Sequence, residues 1–196
     1  MFDYENKYTS DGFNIICGID EAGRGPLAGP VVAACVVPNL KNIITGINDR
    51  KKLTKAKREM LYSKIIETAV DYHVSIVDVA EIESLNILGA TKLAMKNAFN
   101  SLKKAEPQVA LIDAVKLDLP CKIVPITKGD MLSYSIACAS ILAKVTRDKL
   151  MCELSKMYPQ YGFEKHKGYG TAHHIEMIKK HGISPIHRPL FVRKFV

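Results

Sequence analysis

Two apolar runs stand near the start of the chain, at 15–20 and 30–37, joined by a loop rich in Gly and Pro. Short apolar runs bounded by turn-forming residues predict strands, and their closeness predicts a hairpin. Residues 1–13 read as a tail or a short lead-in helix. After a polar loop from Pro38 to Leu53, Thr54 can cap a helix with Leu61, Ile65, Ile66 and Ala69 on one face and basic residues on the other. Alternation over 72–79 predicts a third strand. Helical spacing returns over 81–104 through Ile82, Leu85, Leu88, Leu93 and Phe99, and two short strands follow at 109–113 and 122–126. Ser133 to Met157 then reads as a long helix whose Ala- and Ser-rich face suits close packing on a sheet. From Tyr158 to Val196 the pattern shifts to Gly, His, Tyr and Lys, with one short helix near 171–181. The order β-β-α-β-α-β-β-α predicts an α/β fold, a mixed sheet flanked by helices. The expected organisation is a core over 1–157 and a mostly helical C-terminal extension over 158–196.

Composition narrows the class. A chain of 196 residues with 47% hydrophobic content can fill one core. Lys and Arg number 28 against 20 Asp and Glu, a formal charge of +8, which suits a polyanionic partner. The five cysteines form an odd set without a C-x-x-C pair and mostly lie in apolar stretches. They read as buried hydrophobes in a reducing compartment. The first residues are mixed and polar, unlike a secretion signal, and no stretch reaches the roughly 18 apolar residues of a membrane span. A cytoplasmic protein with no membrane partner is expected, with a monomer as the default.

Against this basic background, four acids occupy unusual places. Asp20 and Glu21 end the first apolar run, Asp113 ends Val109-Ala110-Leu111-Ile112, and Asp130 precedes the long helix. Carboxylates at the ends of buried strands need compensation. Four of them gathered by a sheet would form an all-oxygen site for Mg²⁺ or Mn²⁺, an arrangement suited to phosphodiester hydrolysis. Gly23-Arg24-Gly25 follows the first pair. It is not a dinucleotide fingerprint, since Ala28 stands where the third glycine belongs, nor a P-loop, since Arg24 replaces the required Lys. By itself it reads equally as a ligand-approaching loop or a tight turn. Lys144 and Arg147 lie three apart on one predicted helix face and are candidates for phosphate contact, or for an ion-paired face with Asp148. Lys51, Lys52, Lys167, His187 and Arg188 are further candidates of the same kind.

The string Gly18-Ile19-Asp20-Glu21-Ala22-Gly23-Arg24-Gly25-Pro26-Leu27-Ala28-Gly29-Pro30 closely resembles the signature of the type 2 ribonucleases H, the bacterial ribonuclease HII family. Lys128-Gly129-Asp130 with Ser140-Ile141-Leu142-Ala143-Lys144-Val145-Thr146-Arg147-Asp148 is a second match. His166-Lys167-Gly168-Tyr169-Gly170-Thr171 and Ser184-Pro185-Ile186-His187-Arg188 form a third, so the resemblance spans residues 15–191 in the family's order. It implies a ribonuclease H-like fold with a five-stranded mixed sheet. It also implies that Asp20, Glu21, Asp113 and Asp130 hold two Mn²⁺ or Mg²⁺ ions. By the same resemblance Gly23, Arg24, Gly25 and Tyr169 read the 2′-hydroxyl at an RNA–DNA junction. The implied reaction is cleavage of RNA in RNA·DNA hybrids, and 5′ of single ribonucleotides in duplex DNA, leaving 3′-hydroxyl and 5′-phosphate ends. Arg50, Ala114 and Leu190 depart from the family's usual Ser, Gly and Ser.

The rivals are another nuclease of the same fold, such as a type 1 ribonuclease H or a junction resolvase, and a non-catalytic hybrid-binding module. The glycine loop speaks against the first, which has no use for a junction sensor. Clustered acids speak against the second, because a binder of polyanions gains nothing from negative charge. The tail Phe191-Val192-Arg193-Lys194-Phe195-Val196 is read as either frayed or docked on a replication clamp.

Overall fold

The computed structural model describes residues 1–47 and 53–196. Strands β1 (Ile16–Ala22), β2 (Val31–Val37), β3 (Asp71–Val77), β4 (Val109–Asp113) and β5 (Lys122–Ile126) form one sheet in the order β3-β2-β1-β4-β5. β1 and β2 make the expected antiparallel hairpin, β3 adds antiparallel to β2, and β4 and β5 extend β1 in parallel. The helices are α1 (Asp3–Ser10), α2 (Lys55–Thr68), α3 (Val79–Asn100), α4 (Gly129–Leu132), α5 (Tyr134–Met157), α6 (Phe163–His166), α7 (Ala172–His181) and α8 (Pro189–Val192).

Both faces of the central strands are covered, which is why they read as continuous apolar runs. Cys17, Ile19, Ala33, Cys35, Ala110 and Ile112 meet Ala90, Ala94, Met95 and Ala98 of α3 on one face. On the other, Val32, Ala34 and Val36 meet Leu61 and Ile65 of α2 and Ala137, Ile141 and Leu142 of α5. The small residues of α5 allow unusually close approach. A Cβ on Gly18 would lie 2.0 Å from the Ser135 carbonyl carbon, so the α5 backbone rests directly on β1. All five cysteines are free thiols, and no helix among the described residues is long and apolar enough to cross a membrane.

Several boundaries differ from expectation for local reasons. β1 continues to Ala22 because Glu21 and Ala22 still pair with Ala33 and Val32, which puts the two acids inside the strand. α3 stops at Asn100 because the Asp71 carboxylate accepts the backbone N–H groups of Lys103, Lys104 and Ala105, turning the chain away. Within α3, Asn86 leaves helical geometry (φ 57°) and its Oδ1 accepts from the N–H groups of Leu88 and Gly89, recapping the helix. Beyond Tyr158 there are three short helices and a 3₁₀ turn, Pro159–Tyr161, where one helix was expected. They close a third cluster of Leu27, Ala28, Met151, Tyr161, Phe163, Ile178 and Val192, with Phe191 and Phe195 packed against it. Val192 is buried and Phe191 and Phe195 are partly seated on the fold, whereas Arg193, Lys194 and Val196 are exposed.

Candidate active site

Parallel pairing gathers the acids. Ile19 stands beside Ile112, which carries Asp20 and Asp113 to the same end of adjacent strands. β5 ends opposite Asp113, and the chain turns at once into α4, which carries Asp130. The Gly129 N–H donates to Asp113 Oδ1 at 2.7 Å and ties that segment to β4. Asp20 is 2% exposed and Asp130 7%. Glu21 Oε1 lies 3.4 Å from Arg24 Nη1, while Oε2 is buried with no hydrogen-bond partner. Burial pushes the Glu21 carboxyl above its ordinary pKa; Arg24 opposes the shift and the nearby Asp113 charge adds to it.

Two non-glycine residues beside these acids adopt left-handed backbone: Ala114 at φ 49° and Lys128 at φ 58°. Each costs about 1–2 kcal/mol, and the Ala114 N–H bond to the Ile126 carbonyl at 3.1 Å helps to hold the turn. Strain of this kind collects at functional sites.

The donor set suits a hard divalent cation. It is all oxygen, burial and the Asp113 charge raise the Glu21 pKa, and one buried Glu21 oxygen lacks a partner. Among the described residues no three Asp, Glu, His or Cys side chains stand close enough to hold an ion in their present places.

Beside the acids an open cleft is lined by Glu21, Ala22, Gly23, Arg58, Ser140, Lys144 and Tyr169. Gly23 has φ 100°, and a Cβ there would lie 2.2 Å from Arg147 Nε, so only glycine fits. The Tyr169 ring, 44% exposed, faces the loop, with Cε1 4.0 Å from where a Gly25 Cβ would stand. Lys144 Nζ lies 5.9 Å from the centre of that ring and 2.7 Å from Asp148 Oδ1, so it is both in the cleft and ion-paired. Lys167 borders the neighbouring groove with Lys55, Arg58 and Lys149. Lys51 and Lys52, like Arg50, lie outside the described residues.

Arg147 and Arg188 need correction. Both were candidates for phosphate contact, Arg147 alternatively for an ion-paired face with Asp148, yet each is 1% exposed, with its guanidinium spent on backbone carbonyls. Arg147 donates to Pro30, Ala28 and Lys167. Arg188 donates to Gly23, Arg24, Pro26 and Gly29. Burial, and then the charge of Arg147, lowers the Arg188 pKa to about 9, which leaves it cationic at neutral pH. Their charge is buried to hold loops, because a fan of five N–H donors satisfies several carbonyls that no strand can pair. His187 is likewise buried, among other aromatic rings.

The family model described as Ribonuclease HII matches residues 17–194 of this chain. The chain belongs to the ribonuclease HII family. The ribonuclease HII of Ruminiclostridium cellulolyticum is 56% identical over 197 residues, covering all of this chain and 77% of that protein. That of Caldicellulosiruptor bescii is 53% identical, covering all of this chain and 95% of its own length. Among solved structures, the ribonuclease H2 of Pyrococcus horikoshii superposes with a TM-score of 0.79 at 31% identity, over 93% of this chain and 97% of that one. The expected ribonuclease H-like fold is thereby established, and the chain is a ribonuclease H endonuclease.

Sequence reasoning passed over Arg58 and the Ser140 hydroxyl. Arg58 reads as one more charge on the outer face of α2, and nothing local says that this face borders the cleft, where its Nη1 donates to the Leu53 carbonyl at 2.7 Å. Ser140 was visible within the second ribonuclease HII motif. The residue lines the cleft, and its Oγ is buried without a hydrogen-bond partner.

Proposed function

We propose that this member of the ribonuclease HII family is a divalent-metal-dependent endonuclease that hydrolyses RNA in RNA·DNA hybrids and cuts 5′ of a single ribonucleotide in duplex DNA, leaving 3′-hydroxyl and 5′-phosphate ends. One observation carries the reading: Glu21, the Gly23 loop and Tyr169 line one cleft, so phosphodiester chemistry and sugar recognition share a single space. Asp20, Glu21, Asp113 and Asp130 would hold two Mg²⁺ or Mn²⁺ ions. Bound there, the metal supplies charge neutralisation at the scissile phosphate and an activated water.

The chain's own residues do the selecting. A 2′-hydroxyl both donates and accepts, and the backbone of Gly23, Arg24 and Gly25 can approach it because no side chain holds the loop off. The Tyr169 ring offers a flat wall and a phenolic hydroxyl to the same sugar. Lys144 and Lys167 provide positive charge along the groove, and the C-terminal extension takes part through Lys167 and Tyr169. The excess of +8 draws the duplex toward an otherwise acidic centre.

The test is an end-labelled DNA duplex holding one ribonucleotide, incubated with Mg²⁺ and separately with Mn²⁺, with Asp20→Asn as control. Cleavage only on the 5′ side of the ribonucleotide, lost in the control, is expected. Cleavage confined to longer hybrids would keep the metal site and remove the role given to the glycine loop and Tyr169.

A further inference from the structure

The Gly23 loop, between β1 and β2, and the loop bearing Tyr169, just before α7, are far apart in sequence, and neither lies within a helix or strand of its own. Both are tied to residues 184–188. The Arg188 N–H donates to the Leu27 carbonyl at 2.9 Å and the Gly29 N–H to the Ile186 carbonyl at 2.8 Å, with Ala28 bridged to His187. From this bridge two adjacent side chains diverge. Arg188 reaches the carbonyls of Gly23 at 2.6 Å, Arg24 at 3.0 Å, Pro26 at 2.9 Å, and Gly29 at 2.9 and 2.7 Å. His187 runs the other way: its Nε2 lies 3.0 Å from His174 Nε2, and His174 Nδ1 lies 2.9 Å from the Tyr169 carbonyl oxygen.

Backbone groups at the two ends dictate where the protons sit. The Ser184 N–H donates to His187 Nδ1 at 2.8 Å, so that nitrogen is bare and Nε2 carries the hydrogen. His187 Nε2–H then donates to His174 Nε2. The His174 proton is left on Nδ1, where the Tyr169 carbonyl accepts it. One pair of neutral tautomers satisfies every partner. Burial keeps both rings neutral at pH 7, lowering each pKa to about 4. Tyr161 packs on His187 at 4.7 Å between ring centres and Phe163 on His174 at 5.4 Å, which leaves neither imidazole free to turn. Arg147 and the Leu27 N–H bond to the Gly168 carbonyl close the same frame from the other side.

We propose that residues 184–188 are the positioning element of the sugar-reading cleft, with Arg188 setting the glycine loop and His187, through His174, setting Tyr169. One stiff segment thus fixes the gap into which the ribose must fit. The inference rests on the reading of the cleft under Proposed function. It adds that selectivity for an embedded ribonucleotide depends on three buried side chains that never touch the substrate.

Two measurements test it. Long-range ¹H–¹⁵N correlation of the histidine rings in the full chain at pH 7 should show His174 as the Nδ1–H tautomer and His187 as the Nε2–H tautomer. Either ring in the other form overturns the wiring, whatever the activity. In kinetics, His174→Asn keeps a donor near the Nδ1 position, whereas His174→Leu removes it. His174→Leu should lower kcat/KM on single-ribonucleotide duplex, relative to a long hybrid, by about 10-fold or more, with His174→Asn, which keeps the donor toward Tyr169 but loses the acceptor for His187 Nε2–H, recovering only part of the loss; full recovery would remove His187 from the wiring. An unchanged ratio in folded His174→Leu, or equal losses in both variants, overturns the positioning role. A wild-type chain that cuts no embedded ribonucleotide overturns the reading of the cleft and this role with it, whereas a wrong tautomer overturns this role alone.

Discussion

Replacing Gly18 by Ala probes the contact on which the catalytic geometry rests. The added Cβ would stand 2.0 Å from the carbonyl carbon of Ser135, 2.2 Å from its oxygen and 2.3 Å from the Ile136 nitrogen. All three are backbone atoms in the first turn of α5, so no rotamer change can relieve the clash. Reaching the 3.4 Å of ordinary contact requires β1 and α5 to separate by more than 1 Å. Overpacking of this kind costs about 1–3 kcal/mol even where side chains can adjust, and the rigid backbone places this case at or above the upper figure. For a chain of this size the loss corresponds to a fall in Tm of roughly 6–12 °C. Asp20 lies two residues beyond Gly18, and Asp130 precedes α5 on the opposing element, so the separation also moves the two acids apart. A displacement of about 1 Å at reacting groups costs on the order of 100-fold in rate. Urea denaturation and initial cleavage rates at saturating metal measure the two effects. A Gly18→Ala variant within about 0.5 kcal/mol of the parent and equally active would refute the direct seating of α5 on β1 and the argument built on it.

Two more expectations concern charge. Because the folded Glu21 carboxyl has a raised pKa, its penalty is absent below the unfolded value and grows as pH rises through the folded one. Glu21→Gln should therefore raise Tm in chelator at pH 8 and shrink the further rise produced by Mg²⁺ or Mn²⁺; a parent Tm indifferent to both metals would count against the metal site. His174 and His187, lowered to about 4 from 6.5 mainly by burial, refuse protons that the unfolded chain accepts. Stability should be full above pH 7 and decline as pH falls from about 6.5 toward 4. At pH 5 the loss is roughly 2 kcal/mol for each ring treated alone, and a urea midpoint unchanged between pH 8 and 5 would contradict the buried neutral pair.

Residue pattern alone determined the order of the main elements, the hairpin, the Thr54 cap and the place of Asp113 at the end of β4, because periodicity, capping and turn chemistry act over a few neighbouring positions. The motifs likewise led to the ribonuclease HII family, since their residue types and order are properties of the chain. Tertiary structure decided what depends on partners distant in sequence. Lys144, Arg147 and Arg188 look alike as basic residues, yet Lys144 stands in the cleft while both arginines are buried under carbonyls supplied by residues more than 100 positions away or by loops without secondary structure. The end of α3 was set by Asp71, some thirty residues earlier. In sequence His187 reads as one more candidate for phosphate contact, and nothing local joins it to His174. Only folding brings the rings to 3.0 Å, removes water from around them, and lets a single arrangement of protons satisfy them both.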